Sequence, residues 1–284
     1  MEQHDVIEQL KSLTSHSHIQ LTHRGDGAIL LALHIVKCAS IEHRKPTAAY
    51  PTILIPDQAG WLSYQTLPKL LGFNIVEVKT DNGLIDLADL KEKITSTTAA
   101  AILIQSLGGY FVQQPMEDII SICKKNNCLV IEDISGSIGF LPSYDSDIKV
   151  CSFGLDKLVN VGTGGCLSCK ENYLTQFAEE LAPTVRLVQP LFDTALLLQK
   201  LTALKSRVAF LSAKAQNIKS DLVHHTIIHR QSVAINVVAV FSSAAEQSAL
   251  IEYCQKNKIP FKRCPRYNRV LAPAISIEVK KLIK

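Results

Sequence analysis

The 284-residue chain is 47% hydrophobic and only 20% charged. That is enough apolar material for one large domain plus a smaller one, and it excludes extended disorder. The net charge of +4 is mild, and the basic residues are scattered except for Lys262, Arg263, Arg266, Arg269, Lys280, Lys281 and Lys284. A nucleic-acid binder concentrates basic residues with aromatics on one face, so no nucleic-acid partner is expected. The apolar runs fall well short of the roughly 18 residues of a membrane span. The opening Glu2, His4 and Asp5 lack the basic-then-apolar order of a signal segment. A cytoplasmic protein without a membrane partner is expected.

In chain order, Gly25-Asp26-Gly27 opens an apolar-periodic helix from Ala28 to about Cys38. Short Val- and Ile-rich runs then read as strands: Thr52–Pro56, Ile75–Lys79, Ala99–Gln105, Cys128–Asp133, Lys149–Phe153 and Gly165–Lys170. Between them Trp61–Leu71, Leu87–Ile94 and Met116–Lys125 carry apolar residues at helical spacing. Glu171 to about Leu222 reads as helical. A strand at Val233–Phe241, a helix at Ala244–Asn257 and a short β–α piece close the chain. The alternation predicts an α/β fold: a mainly parallel sheet sandwiched by helices, with ligands at the strands' carboxyl ends. The expected division is a large domain over residues 1–222, with bridging helices from about 171, and a small α+β domain over 223–284.

Metal chemistry is not expected. Cys166-x-x-Cys169 falls on a strand, where residues three apart face opposite ways. The other six of the eight cysteines show no ligand spacing, and His16/His18 and His224/His225 lack a suitable neighbour.

Three features carry chemistry. Ser152-Phe-Gly-Leu-Asp-Lys157, followed by Gly162-Thr-Gly-Gly165, puts an amine just beyond a strand end, beside a turn that lets backbone approach a ligand. Taken alone, it also fits a surface hairpin. Asp133 ends a buried strand, where a carboxylate needs a partner or a ligand; capping of a following helix is the alternative. Arg24-Gly25-Asp26-Gly27 at a helix start offers free amides to an anion, but its spacing fails G-x-G-x-x-G, so no dinucleotide fingerprint is present.

In this order the pieces resemble the fold-type I (aspartate aminotransferase-like) pyridoxal phosphate enzymes, and most closely the DegT/StrS-type sugar aminotransferases. The resemblance spans about residues 20–170, including the lead-in Asp147-Ile-Lys-Val-Cys-Ser-Phe153. It implies pyridoxal 5'-phosphate as cofactor and Lys157 as its Schiff-base lysine and proton shuttle. It implies Asp133 as partner of the pyridine nitrogen, and Ser152, Gly25 and the Asp26 amide as phosphate ligands. Trp61 is then the stacking aromatic, with Tyr64 as substitute, and the protein a homodimer. Arg266 and Arg269 are candidates to hold an anionic substrate, since a guanidinium fork matches carboxylate or phosphate. Departures also stand out. The family's Gln or His three residues after the Asp, which touches the cofactor's ring oxygen, is Gly136 here, and its Asn after the lysine is Leu158. The C-terminal domain and N-terminal arm are reduced. The leading expectation is an aminotransferase; lyase, aldolase or desulfurase chemistry, or a non-catalytic paralogue used in binding or assembly, stays open.

Overall fold

The computed structural model describes residues 2–43 and 50–283. At its centre lie seven strands: β1 (His18–Thr22), β2 (Thr52–Pro56), β3 (Asn74–Val78), β4 (Ala101–Gln105), β5 (Leu129–Asp133), β6 (Ile148–Ser152) and β7 (Gly165–Cys169). They hydrogen-bond in the order β1-β7-β6-β5-β4-β2-β3. From β3 to β6 the strands run parallel, and β7 runs antiparallel to both β6 and β1.

Alternation along the strands explains the layers. Ile53 and Ile55 of β2 face helix α2 (Gly25–His43) and pack with Ala28, Leu31 and Ile35. Leu54 faces the other way, with Ile102, Ile104 and Val130, toward α3 (Leu87–Thr97) and α4 (Met116–Lys125). All five residues of β2 are buried, as a strand covered on both faces requires. Cys166 and Cys169 fall in different core clusters.

Several segments depart from the expected pattern, among them β1, which was not expected, and the end of the chain, which holds two strands where one was expected. Residues 61–71 form a 3₁₀ turn, Leu62–Gln65, and a single helical turn, Leu67–Leu70, because Pro68 lacks the N–H that would continue the first into the second. An unexpected N-terminal helix, α1 (Glu2–Thr14), packs Val6 and Leu10 against Leu197 and Leu201. The stretch after β7 divides into Tyr173–Gln176, α5 (Ala178–Leu187), α6 (Thr194–Thr202, capped by Asp193) and α7 (Leu204–Asp221). Beyond α7, β8 (Val237–Val240), β9 (Phe261–Cys264) and β10 (Ala274–Ile277) form an antiparallel sheet in the order β8-β10-β9, with α8 (Ala244–Lys256) against it. Leu211, Ile218, Val237 and Ile275 share the cluster of Leu107, Tyr110 and Phe153, so apolar packing runs unbroken from this sheet to the large one. None of the described helices is long and apolar enough to cross a membrane.

Candidate active site

The carboxyl ends of β5 and β6 and the start of α2 meet around a cavity of about 250 Å³ lined by Gly25, Asp26, Trp61, Asp133, Ser152 and Lys157, among others. The glycine-rich turn after Lys157 holds these elements in register. Gly164 and Thr163 donate to the His23 carbonyl at 2.8 and 2.9 Å, fastening the turn to the residues that open α2. Gly164 has φ +100°, a conformation that suits glycine.

Gly25 rests directly on Ser152. A Cβ at Gly25 would lie 2.5 Å from the Ser152 Cβ, so only glycine lets the helix start sit against this strand end. The first helical amides have no intrahelical acceptor, and the dipole favours an anion there. Ser152 Oγ, which accepts from Gly154 N at 3.3 Å, stands at the same place. The Asp26 carboxylate turns aside to accept from Trp61 Nε1 at 3.0 Å and Ser63 Oγ at 2.8 Å.

Asp133 is 4% exposed. Its Oδ1 accepts from Ser135 N at 2.9 Å and its Oδ2 from Tyr64 OH at 2.7 Å. Burial and then the Asp133 charge drive the Tyr64 phenol well above its ordinary pKa, so it remains a donor. Tyr64 is thus the partner of Asp133, while Trp61 lies beside Lys157, with Nζ 4.8 Å from its ring centroid.

The Lys157 amine donates to Tyr110 OH at 2.6 Å. Burial lowers its proton affinity, but Tyr110 and Asp133 outweigh that and hold its pKa above the usual lysine value. Tyr110 is a site residue that sequence reasoning missed. Its one advance signal is its place after Gly108-Gly109 at the carboxyl end of β4, on the edge where a parallel sheet gathers ligands.

The two candidate substrate arginines differ. Arg266 is exposed and its Nε points to Asn268 Oδ1 at 3.1 Å. Arg269 is 3% exposed, and its Nε and Nη2 donate to both carboxylate oxygens of Glu278 at 2.9 and 2.8 Å. Burial opposes the Glu278 charge, yet Arg269 holds that carboxyl down to about 2.

The whole chain resembles several solved structures in fold. A structure of 3-amino-5-hydroxybenzoic acid synthase superposes with a TM-score of 0.74, over 98% of this chain and 85% of that one at 12% identity. A DegT DnrJ EryC1 StrS aminotransferase from Brucella abortus gives 0.73, over 98% and 84% at 15% identity. A structure described as SPT with PLP internal aldimine gives 0.67, over 97% and 71% at 15% identity. The fold is therefore that of the fold-type I pyridoxal phosphate-dependent enzymes. Residues 72–186 match the model of the DegT/DnrJ/EryC1/StrS aminotransferase family, the family that the motifs resemble, whose cofactor is pyridoxal phosphate. That segment contains Asp133, Ser152 and Lys157; Gly25, Asp26 and Trp61 lie before it. Residues 206–283 match a different model, the MJ1341 family C-terminal domain. No curated protein matches the sequence.

Proposed function

We propose that this chain is a pyridoxal phosphate-dependent aminotransferase that carries its cofactor on Lys157 and moves an amino group between small anionic molecules. The observation that carries this reading is the convergence of a half-buried lysine, a buried carboxylate and a flat aromatic face on one cavity floored by Gly25 and Ser152. The residues present fit the cofactor. Ser152 and the amides at Gly25 and Asp26 would hold its phosphate, Trp61 would lie along its ring, and Asp133 would face its pyridine nitrogen. Asp133 has donors on both oxygens, but a carboxylate offers about four acceptor positions, so one is open to an N–H. When bound, the cofactor supplies an electron sink for bonds at the substrate's reacting carbon.

The chain's own residues do the rest. Tyr64 and Ser135 aim Asp133 with one hydrogen bond to each of its oxygens. Lys157, among Trp61, Tyr110 and Asp133, holds and moves a proton at Nζ. Of the two candidate arginines, Arg266, exposed in the segment between β9 and β10, has donors free for a substrate carboxylate or phosphate, while Arg269 shapes the small domain. We assign residues 1–222 to cofactor binding and 223–284 to closing the site. A homodimer suits the exposed Leu62, next to Trp61, and Leu155, at 73% exposure on the cavity rim. Desulfurase chemistry is disfavoured, because it needs an accessible reactive thiol and all eight cysteines are buried.

The test is the visible absorption spectrum of the purified protein supplied with pyridoxal phosphate, before and after amino acids are added. A visible band that glutamate or another amino acid converts supports the reading, and a protein that never acquires a band refutes it.

A further inference from the structure

Outside the roles already assigned, the most constrained side chain in the site is Tyr110. It is 2% exposed, and its backbone is in the left-handed region at φ +69°, which a bulky residue adopts only when its surroundings impose it. Those surroundings are identifiable. The small domain's Ile235 and Asn236 amides both donate to the Tyr110 carbonyl, at 3.0 and 2.9 Å. One edge of the ring lies against Gly136, where an added Cβ would meet Tyr110 Cδ1 at 2.6 Å. Three cationic groups surround the ring: Lys280 Nζ at 4.3 Å from its centroid, the Arg269 guanidinium at 5.2 Å and Lys157 Nζ at 5.4 Å. Lys280 is itself buried, and burial together with Arg269 brings its pKa down to about 7.

The hydroxyl accepts from Lys157, which leaves its own proton to donate. Among the described residues no acceptor is paired with that proton. An acceptor is expected where the Lys157 amine reacts. On pyridoxal phosphate the phenolic oxygen is ortho to the carbonyl carbon that an amine attacks, so a group touching the amine lies within reach of that oxygen. Gly136 leaves vacant the side-chain position from which the resemblance would supply a ring-oxygen contact, and Tyr110 occupies that space.

We propose that Tyr110, fixed by the small domain, is the residue that donates to the cofactor's ring oxygen and positions the Lys157 amine. This rests on the proposed function above. Donation to the oxygen favours its deprotonated form and the Arg269 guanidinium beside the ring reinforces that preference, so losing the donor moves the oxygen-coupled titration upward.

The experiment is a pH titration of the visible cofactor band in the loaded parent and in Tyr110→Phe, with cofactor affinity measured by equilibrium dialysis. The expected result is retained cofactor with the band's midpoint raised by about one unit, the tenfold worth of one hydrogen bond. If Tyr110→Phe fails to fold, Gly136→Ala provides the same test, because its Cβ displaces the ring while keeping the hydroxyl; a raised midpoint is again expected. An unchanged band and midpoint in the folded variant overturn the role of Tyr110 and leave the cofactor assignment standing. A parent that binds no pyridoxal phosphate overturns both.

Discussion

Tyr64 donates its hydroxyl to Asp133 Oδ2 across 2.7 Å, with the tyrosine fully buried and the carboxylate nearly so. The bond runs from the 3₁₀ turn that follows β2 to the end of β5, so it aims the carboxylate from a second element. A hydrogen bond to a charged group contributes about 1.5–3 kcal/mol. Tyr64→Phe should therefore retain cofactor while turnover falls roughly ten- to a hundredfold. Asp133→Ala should also retain cofactor, through the phosphate and Lys157, and lose nearly all turnover. Parent-like turnover in a folded Tyr64→Phe protein would mean that Ser135 alone orients Asp133, and near-normal activity in Asp133→Ala would remove the assignment.

Borohydride treatment of the loaded protein should fix pyridoxal phosphate to the peptide containing Lys157. This is the lysine whose Nζ faces both Trp61 and Tyr110. Lys280 is the informative control, since its amine lies 4.3 Å from the same tyrosine ring. Mass spectrometry that finds the label on Lys280, or on any lysine but 157, would reassign the site.

What the sequence disclosed follows chain-local physics. Asp133 at the end of β5, Lys157 beyond β6 and the glycine turn after it are readable because strand ends and glycine positions are local properties. Tyr110 and the pairing of Tyr64 with Asp133 were hidden, because each contact joins residues 47 and 69 positions apart. The burial of Arg269 was hidden too: it lies in the irregular segment between β9 and β10, and its partner Glu278 stands nine residues further on, just past β10, a pairing that no helix or strand periodicity announces. Helix α1 was more accessible, since Val6 and Leu10 stand at the four-residue spacing of a helix face.

The two arginines should separate in their effects. Arg269→Ala leaves Glu278 buried without its fork, and breaking one partner of a buried pair costs about 3–5 kcal/mol. Denaturant unfolding should show a loss of that order. Arg266→Lys should leave stability within error and weaken binding of an anionic substrate by about 1.5–3 kcal/mol for a lost charged hydrogen bond. If Arg266→Lys binds substrate like the parent, the anion site must be sought elsewhere.

Association should involve the apolar rim of the cavity. Leu155 is 73% exposed and follows directly on Gly154, at the mouth of the site. An isologous interface places the same patch on both subunits, so Leu155→Asp puts two charges into it. Light scattering should show a dimer for the loaded parent at micromolar concentration and a shift toward monomer for the variant. A monomeric, cofactor-bound parent would exclude the dimer.

Acid sensitivity should trace to His16, far from the cavity. It is 5% exposed, with Nδ1 3.1 Å from Ser168 Oγ and Nε2 3.0 Å from the Ser146 carbonyl. Because a carbonyl only accepts, Nε2 must donate, and Nδ1 then accepts the serine hydroxyl, so both nitrogens are satisfied in the neutral ring. Burial, with Lys149 nearby, lowers its pKa to about 4. The unfolded chain takes up this proton near the ordinary histidine value of about 6.5. The native state does so only near 4, so between those values the unfolded state binds more protons. Stability is therefore fully present above about pH 6.5 and declines as pH falls toward 4, by up to about 3 kcal/mol. His16→Gln keeps one donor and one acceptor without a titrating ring. Denaturant midpoints measured from pH 7 to pH 4 should fall less steeply for the variant than for the parent. Parallel slopes for the two proteins would place the acid-labile group elsewhere.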